Sequence, residues 1–266
     1  MSRENLVNYQ NVIITDVSKY NTNTNSPNDI FSKHKKRVFC QLGEDGIIDY
    51  IFSIVPPVCK YYVEFGGWDG IHLSNTANLR INKNWNGLLL EGNKEKVESM
   101  PNRKEINLHH EFVSSKNINA LFEKYNVPKN FDLLSIDIDS NDYYVWQNLK
   151  DYRPTIVVVE TNPGIKNELP LSTIEDKSNI HETTGSTGNY FGANLHAFYN
   201  LATKKGYKLL TIDRWNAFFI VDEKFDQFGI APISKENMIS KYCVVSEYWA
   251  KRNMYKVPPY NWVIVD

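Results

Sequence analysis

Hydrophobic positions along the chain change period several times, and each change marks an element. In "QLGEDGIIDYIFSIV", Ile47, Ile48, Ile51, Phe52 and Val55 recur at helical spacing, and Pro56 with Pro57 ends the run. A regular alternation follows. "YYVEF", "GLLLE", "INLHHEFV", "FDLLSID" and "TIVVVE" read as short buried strands. Between them, "SNTANLRIN", opening on a Ser cap, "NKEKVESM", "SKNINALFEKY" and "DYYVWQNL" read as helices. Strands that are apolar throughout and separated by helices predict a parallel sheet covered on both faces, a doubly wound α/β domain. Further on, "FGANLHAFYNLATKKG" predicts a helix with Phe191, Leu195, Phe198 and Leu201 on one face and Gly206 as its C-cap. "YKLLTID" and "NAFFIVD" predict two strands joined by a tight turn, an antiparallel edge pair. A helix near 235–244 and a last apolar strand or arm, "NWVIVD", complete the pattern.

Two stretches break the rhythm. Residues 1–33 are polar and rich in Asn, Ser and Thr, and read as an arm or cap. Residues 34–266 then form a single domain. Inside it, residues 161–190 are polar and rich in Gly, Pro, Ser and Thr. A loop of that length in a compact domain is usually functional, and here it is expected to form a lid over an acceptor site.

Totals narrow the function classes. A net charge of -1 gives no electrostatic case for nucleic acid or membrane surface. No apolar run is long enough to span a bilayer, so no membrane insertion is expected. "MSRENLVNYQ" lacks the apolar core of a secretory signal. Cys40, Cys59 and Cys243 are far apart and form neither a zinc motif nor a disulfide framework. The expectation is a cytoplasmic protein with packing thiols, whose N-terminal arm could pack on a second copy as a homo-oligomer.

Ligands of open α/β sheets bind beyond the carboxyl ends of the strands. There the chain reads "VEFGGWDGIHLSNT". Counted against G-x-G-x-x-G from Gly66, Trp68 takes the second glycine position and Ile71 the third. Trp68 would keep a pyrophosphate from the backbone, which disfavours a nicotinamide or flavin nucleotide. Glu64 and Asp69 could instead face a cationic amine. Glu91, ending "GLLLE", stands where an acid takes the two hydroxyls of a ribose. An amino acid joined to a nucleoside is S-adenosylmethionine.

These segments, with "QLGEDGIIDYIF", "FDLLSIDIDSNDYYVW" and "YFGANLHAFYNLATKKGYKLL", carry a resemblance over about residues 40–221. The chain resembles class I S-adenosylmethionine-dependent methyltransferases of the FkbM-like group, and among these the bacterial capsular sugar (heptose) O-methyltransferases. The resemblance implies a Rossmann-like, mostly parallel sheet. It implies a sugar or nucleotide-sugar acceptor, such as a GDP-heptose for capsule polysaccharide. By it, Glu64, Gly66 and Asp69 lie around the methionine part, His72 and Asn75 close that pocket, Glu91 holds the ribose and Phe112 contacts the adenine. Asp137 lies near the sulfonium, and Asp139 faces the acceptor. The group usually reads I-D-x-E-G-x-E where this chain reads "IDIDSND", so Ser140 replaces a glycine.

Adjacent parallel strands would bring Asp137, Asp139 and Glu160 into one crevice, with Asn162 beside them. These hard oxygen ligands suit Mg²⁺ or Mn²⁺. The alternative is a metal-free, hydrogen-bonded pair of carboxylates, and Asp142 is expected to cap the following helix. Loss of a hydroxyl proton needs a base. Of six histidines, His181 in the long loop is the candidate, with Asp139 the alternative. Asp137-Ile138-Asp139 also matches the D-x-D pair of metal-dependent glycosyltransferases, a reading that leaves "EFGGWDG" and "LLLEGN" unexplained.

Overall fold

A computed structural model describes residues 6–8, 30–175, 191–241 and 261–266. Five parallel strands form its centre: β2 (Tyr61–Phe65), β3 (Asn86–Glu91), β4 (Leu108–His110), β5 (Leu133–Ile136) and β6 (Ile156–Glu160). Beyond β6 lie β9 (Asn216–Val221) and β8 (Tyr207–Asp213). The order across the seven-stranded sheet is β4-β3-β2-β5-β6-β9-β8. β9 runs antiparallel to both of its neighbours, so β8 again points along β6. The expected doubly wound, mostly parallel sheet with an antiparallel edge pair is what the chain forms.

The strands are apolar throughout because helices cover both faces. Val63, Leu88, Leu89, Leu90, Leu133, Leu134 and Val157 are fully buried. The helices between strands are α1 (Glu44–Ile54), α2 (Ala77–Lys83), α3 (Lys94–Ser99), α4 (Ile118–Lys124) and α5 (Asp142–Asn148). α6 (Leu195–Lys204) precedes the hairpin, and Leu195, Phe198 and Leu201 of the predicted stripe are buried. Asn194 caps it by accepting from the Ala197 amide, and Gly206 follows its end at φ +76°. The short α7 (Asp222–Phe225) and α8 (Lys235–Lys241) come last.

A second, three-stranded antiparallel sheet differs from the expectation. β7 (Leu171–Ser172) pairs with β10 (Asn261–Ile264), which pairs with β1 (Leu6–Asn8). The polar arm therefore contributes a strand, and Phe31 near its end is buried against Tyr50 and Phe228. The polar stretch after β6 is likewise built into the structure over its described half. Thr161, Asn162, Ile165 and Asn167 are buried, and Tyr144 donates to the Thr173 carbonyl at 2.8 Å. Residues 161–175 are thus packed onto the domain; residues 176–190, the rest of the expected lid, lie outside the described residues. No described helix is long and apolar enough to cross a membrane.

Candidate active site

β2 and β5 are neighbours although β3 and β4 lie between them in sequence, so the connections diverge to opposite sides of that pair. A cleft of about 690 Å³ opens there, beyond the carboxyl ends of the strands. Gly66, His72, Glu91, Phe112, Asp137, Asp139 and Glu160 all line it.

The strand-end loop after β2 is held from below. Glu64 is only 4% exposed, and burial pushes its carboxyl up against the pull of its hydrogen bonds. Its oxygens accept from Ser74 Oγ at 2.6 Å, Thr76 Oγ1 at 2.6 Å and the Asn75 amide at 2.8 Å. Ser74 Oγ in turn accepts from the Ala77 amide, but the N-cap position of α2 is Thr76, not the expected Ser74. Asn75 donates its side-chain amide to Ser135 Oγ. Glu64 and Asn75 are therefore braces beneath the loop and do not line the cleft. Asp69 is likewise tied into its own loop. It accepts from the Ile71 and His72 amides and pairs with the His72 ring. Partial burial acts against its charge, but the His72 and Ile71 contacts prevail and hold the carboxyl below its usual range. Asp69 opens onto a smaller adjoining hollow, shared with His72, Trp68 and Lys96.

The β3 end is more open. Glu91 accepts from the Trp68 amide at 3.1 Å and the Asn93 amide at 2.8 Å, and each carboxylate oxygen keeps capacity for a further donor. Phe112, 38% exposed, stands beside Gly92 on the same rim. Glu111 lines the cleft too and is tied to Lys124 and Tyr125. Glu111, Lys96 and Gln41, which also line the cleft, were not among the expected site residues. Each had a signal only in its place just after a strand end or before the first one.

The three acids come together on β5 and β6. Asp137, Asp139 and Glu160 offer carboxylate oxygens within 4.8 Å of one another. Asp137 and Glu160 stand side by side in this group. Their pKa values are pushed well up, first by burial beneath the strand ends and then by the charges of the neighbouring acids. Glu160 Oε2 is buried without a hydrogen-bond partner. Asp142 differs from its expected role. It accepts from the amides of Ile138 at 2.9 Å and Ser140 at 2.8 Å, so it ties down the loop before its helix. Burial lifts its carboxyl to about 6. The left-handed residue of this turn is Asp139, at φ +62°, which an aspartate tolerates; Ser140, in place of glycine, is spared that strain.

Among the other histidines, His34 stacks on Tyr50, His109 meets Asn107, His110 meets Gly92 and His196 is buried against the Asn167 carbonyl. His181 lies outside the described residues.

Among solved structures the chain is similar to an S-adenosylmethionine-dependent methyltransferase from Clostridium acetobutylicum. Identity is 9%, over 67% of this chain and 90% of that one, with a TM-score of 0.40. It is also similar to a SAM-dependent methyltransferase from Bacteroides fragilis in complex with S-adenosyl-L-homocysteine. There identity is 11%, over 65% of this chain and 76% of that one, at a TM-score of 0.37. No family model matches the chain, and no curated protein matches it.

Proposed function

We propose that the protein is an S-adenosylmethionine-dependent O-methyltransferase acting on a sugar hydroxyl. The observation that carries the reading is one cleft at the β2–β5 divergence. It combines a ribose-type acid on β3 with three acids on β5 and β6. Glu91 takes the ribose hydroxyls, Phe112 packs on the adenine, and the Gly66 loop approaches the amino-acid part. When bound, S-adenosylmethionine supplies an electrophilic sulfonium methyl. The chain's own task is to aim a hydroxyl at that methyl and accept its proton.

The acid trio fits a divalent cation by its chemistry. Its ligands are hard oxygens, and Glu160 Oε2 has no donor among the described residues. Asp137, Asp139 and Glu160 would hold Mg²⁺ or Mn²⁺, whose charge offsets theirs and lowers the pKa of a ligated hydroxyl. Asp139, exposed at the mouth, is placed toward the acceptor. The resemblance favours a nucleotide-activated sugar, such as a GDP-heptose for a surface polysaccharide.

The test is ligand-induced thermal stabilisation followed by methyl transfer. S-adenosylhomocysteine should raise Tm, while UDP and GDP alone should do less. Labelled methyl should then pass from S-adenosylmethionine to a pool of sugar nucleotides. Stabilisation by a nucleotide diphosphate but not by S-adenosylhomocysteine would sink the reading in favour of a glycosyltransferase.

Glu91→Ala should weaken S-adenosylhomocysteine binding by about 1–3 kcal/mol, the cost of leaving buried polar partners unpaired. Calorimetry showing unchanged affinity would remove Glu91 from the site.

A further inference from the structure

The stretch "QLGEDG" before β2 does more than start a helix. Asp45, 1% exposed, gathers the amides of Val38, Phe39 and Cys40 on one oxygen at 2.7–2.9 Å. Glu44, fully buried, takes the Leu42 amide and the Asn216 side chain. Lys35 pairs with Asp213 at 2.9 Å. Gly46 passes so close to the chain that a Cβ there would meet the His34 carbonyl at 1.9 Å. Two buried acids and a close glycine therefore fix residues 38–42 rigidly. What that rigidity presents is Gln41, which lines the cleft.

Gln41 is also fixed in rotation. Trp215 donates its indole N–H to Gln41 Oε1 at 3.2 Å. An indole nitrogen can only donate, so the amide oxygen must face it, and the NH₂ must take the other direction. No acceptor among the described residues meets that NH₂. The position follows from neighbouring bonds. Trp215 accepts from both the amide and the hydroxyl of Thr161, at 2.6 and 2.7 Å, and Thr161 directly follows Glu160. On the other side, Cys40 bridges to Leu73. Gln41 thus stands between the end of β6 and the loop after β2.

The charges of the cleft decide what such a donor is for. Glu91, Glu111, Asp137, Asp139 and Glu160 line it, against Lys96 as its one lysine among the described residues. Lys96 sits over the Trp68 ring at 4.7 Å, on the helix that follows β3, on the β3 side of the cleft. A zwitterionic ligand can set its ammonium among the acids, but its carboxylate needs an uncharged or positive donor away from them. We infer that the Gln41 carboxamide binds the α-carboxylate of the amino-acid part of the cofactor, held in that orientation by Trp215. This rests on the methyltransferase reading above.

Calorimetry with two probes tests it: S-adenosylhomocysteine, which carries the α-amino carboxylate, and 5′-methylthioadenosine, which lacks it. Gln41→Met should weaken S-adenosylhomocysteine about tenfold or more and leave methylthioadenosine within about twofold. Gln41→Glu can still accept from Trp215 but sets carboxylate against carboxylate. It should weaken S-adenosylhomocysteine further, again sparing methylthioadenosine. Trp215→Phe, which frees the amide to rotate, should give a smaller loss of the same kind. Equal losses for both probes would make Gln41 a structural residue and overturn the inference. Unchanged binding of both would assign its NH₂ to the acceptor and overturn it equally. Failure of the unaltered protein to bind S-adenosylhomocysteine would instead strike the methyltransferase reading itself.

Discussion

Mn²⁺ added to the metal-free protein near pH 7.5, at about 100 times its Kd, is expected to raise Tm by about 5–10 °C. Near pH 5 the rise should be far smaller. The reason lies in the protons of the acid cluster. Asp137 and Glu160 have raised pKa values, first from burial, then for Asp137 from the charge of Asp139 and for Glu160 from the charges of Asp137 and Asp139. Asp142, behind them, is raised to about 6 against an ordinary 3.8, chiefly by burial. A carboxyl raised in the folded state favours folding while it is protonated in both states, below its unfolded value. That contribution is lost as pH climbs through the raised value, for Asp142 between about 4 and about 6. The metal-free protein should therefore lose stability over this window. A divalent cation would take the place of protons on these raised carboxyls, so its stabilisation grows where the protons leave. Asp139→Asn removes one anionic ligand and keeps a residue that tolerates φ +62°. It should cut the Mn²⁺-induced rise by half or more with little change in metal-free Tm. An equal rise at both pH values, or one unaffected by Asp139→Asn, would dismiss the cation. The cluster would then be a hydrogen-bonded carboxylate pair.

Much of the main sheet is legible from sequence because its signals are local and long enough to count. Leu88, Leu89 and Leu90 can be apolar in succession only in a strand covered on both faces, and the structure buries all three. The hairpin of β8 and β9 carries the same kind of signal. The second sheet carries none. β7 is two residues long and β1 three, each in a polar stretch, so neither shows a period. Their pairing is set by contacts between segments far apart in sequence. The acids divide in the same way. That Asp137, Asp139 and Glu160 meet follows from strand adjacency, which the alternating pattern predicts. Whether an acid faces the cleft or a neighbouring amide is invisible in the pattern. Glu64 and Asp69 spend their oxygens on Ser74–Thr76 and on Ile71–His72, and Asp142 on Ile138 and Ser140. Gln41 escaped notice for a related reason. Its neighbours Glu44 and Asp45 look like ordinary acids of a first helical turn, which Glu44 and Asp45 also are.

The second large effect is expected at Gly66. Its φ is +70°, and a Cβ added there would lie 1.8 Å from the Asp137 carbonyl oxygen. Gly66 also donates its amide to the Leu90 carbonyl, so three strand ends meet at this one residue. An alanine must bear the left-handed backbone, at about 1–2 kcal/mol, and must also push the end of β5 away from β2. Gly66→Ala should lower Tm by about 5 °C or more. It should also abolish both S-adenosylhomocysteine binding and the Mn²⁺-induced rise, since Asp137 moves with its own backbone. Gly67→Ala is the control. Its φ is not left-handed, and an added Cβ meets nothing closer than the Leu89 side chain at 3.4 Å, an ordinary contact. That variant should stay within about 1 kcal/mol of the parent, since the added methyl makes only an ordinary contact. Equal Tm values and equal ligand affinities for the two alanines would show that the β2–β5 junction has room that the geometry denies. The close approach of Gly66 to Asp137 would then not be what shapes the cleft.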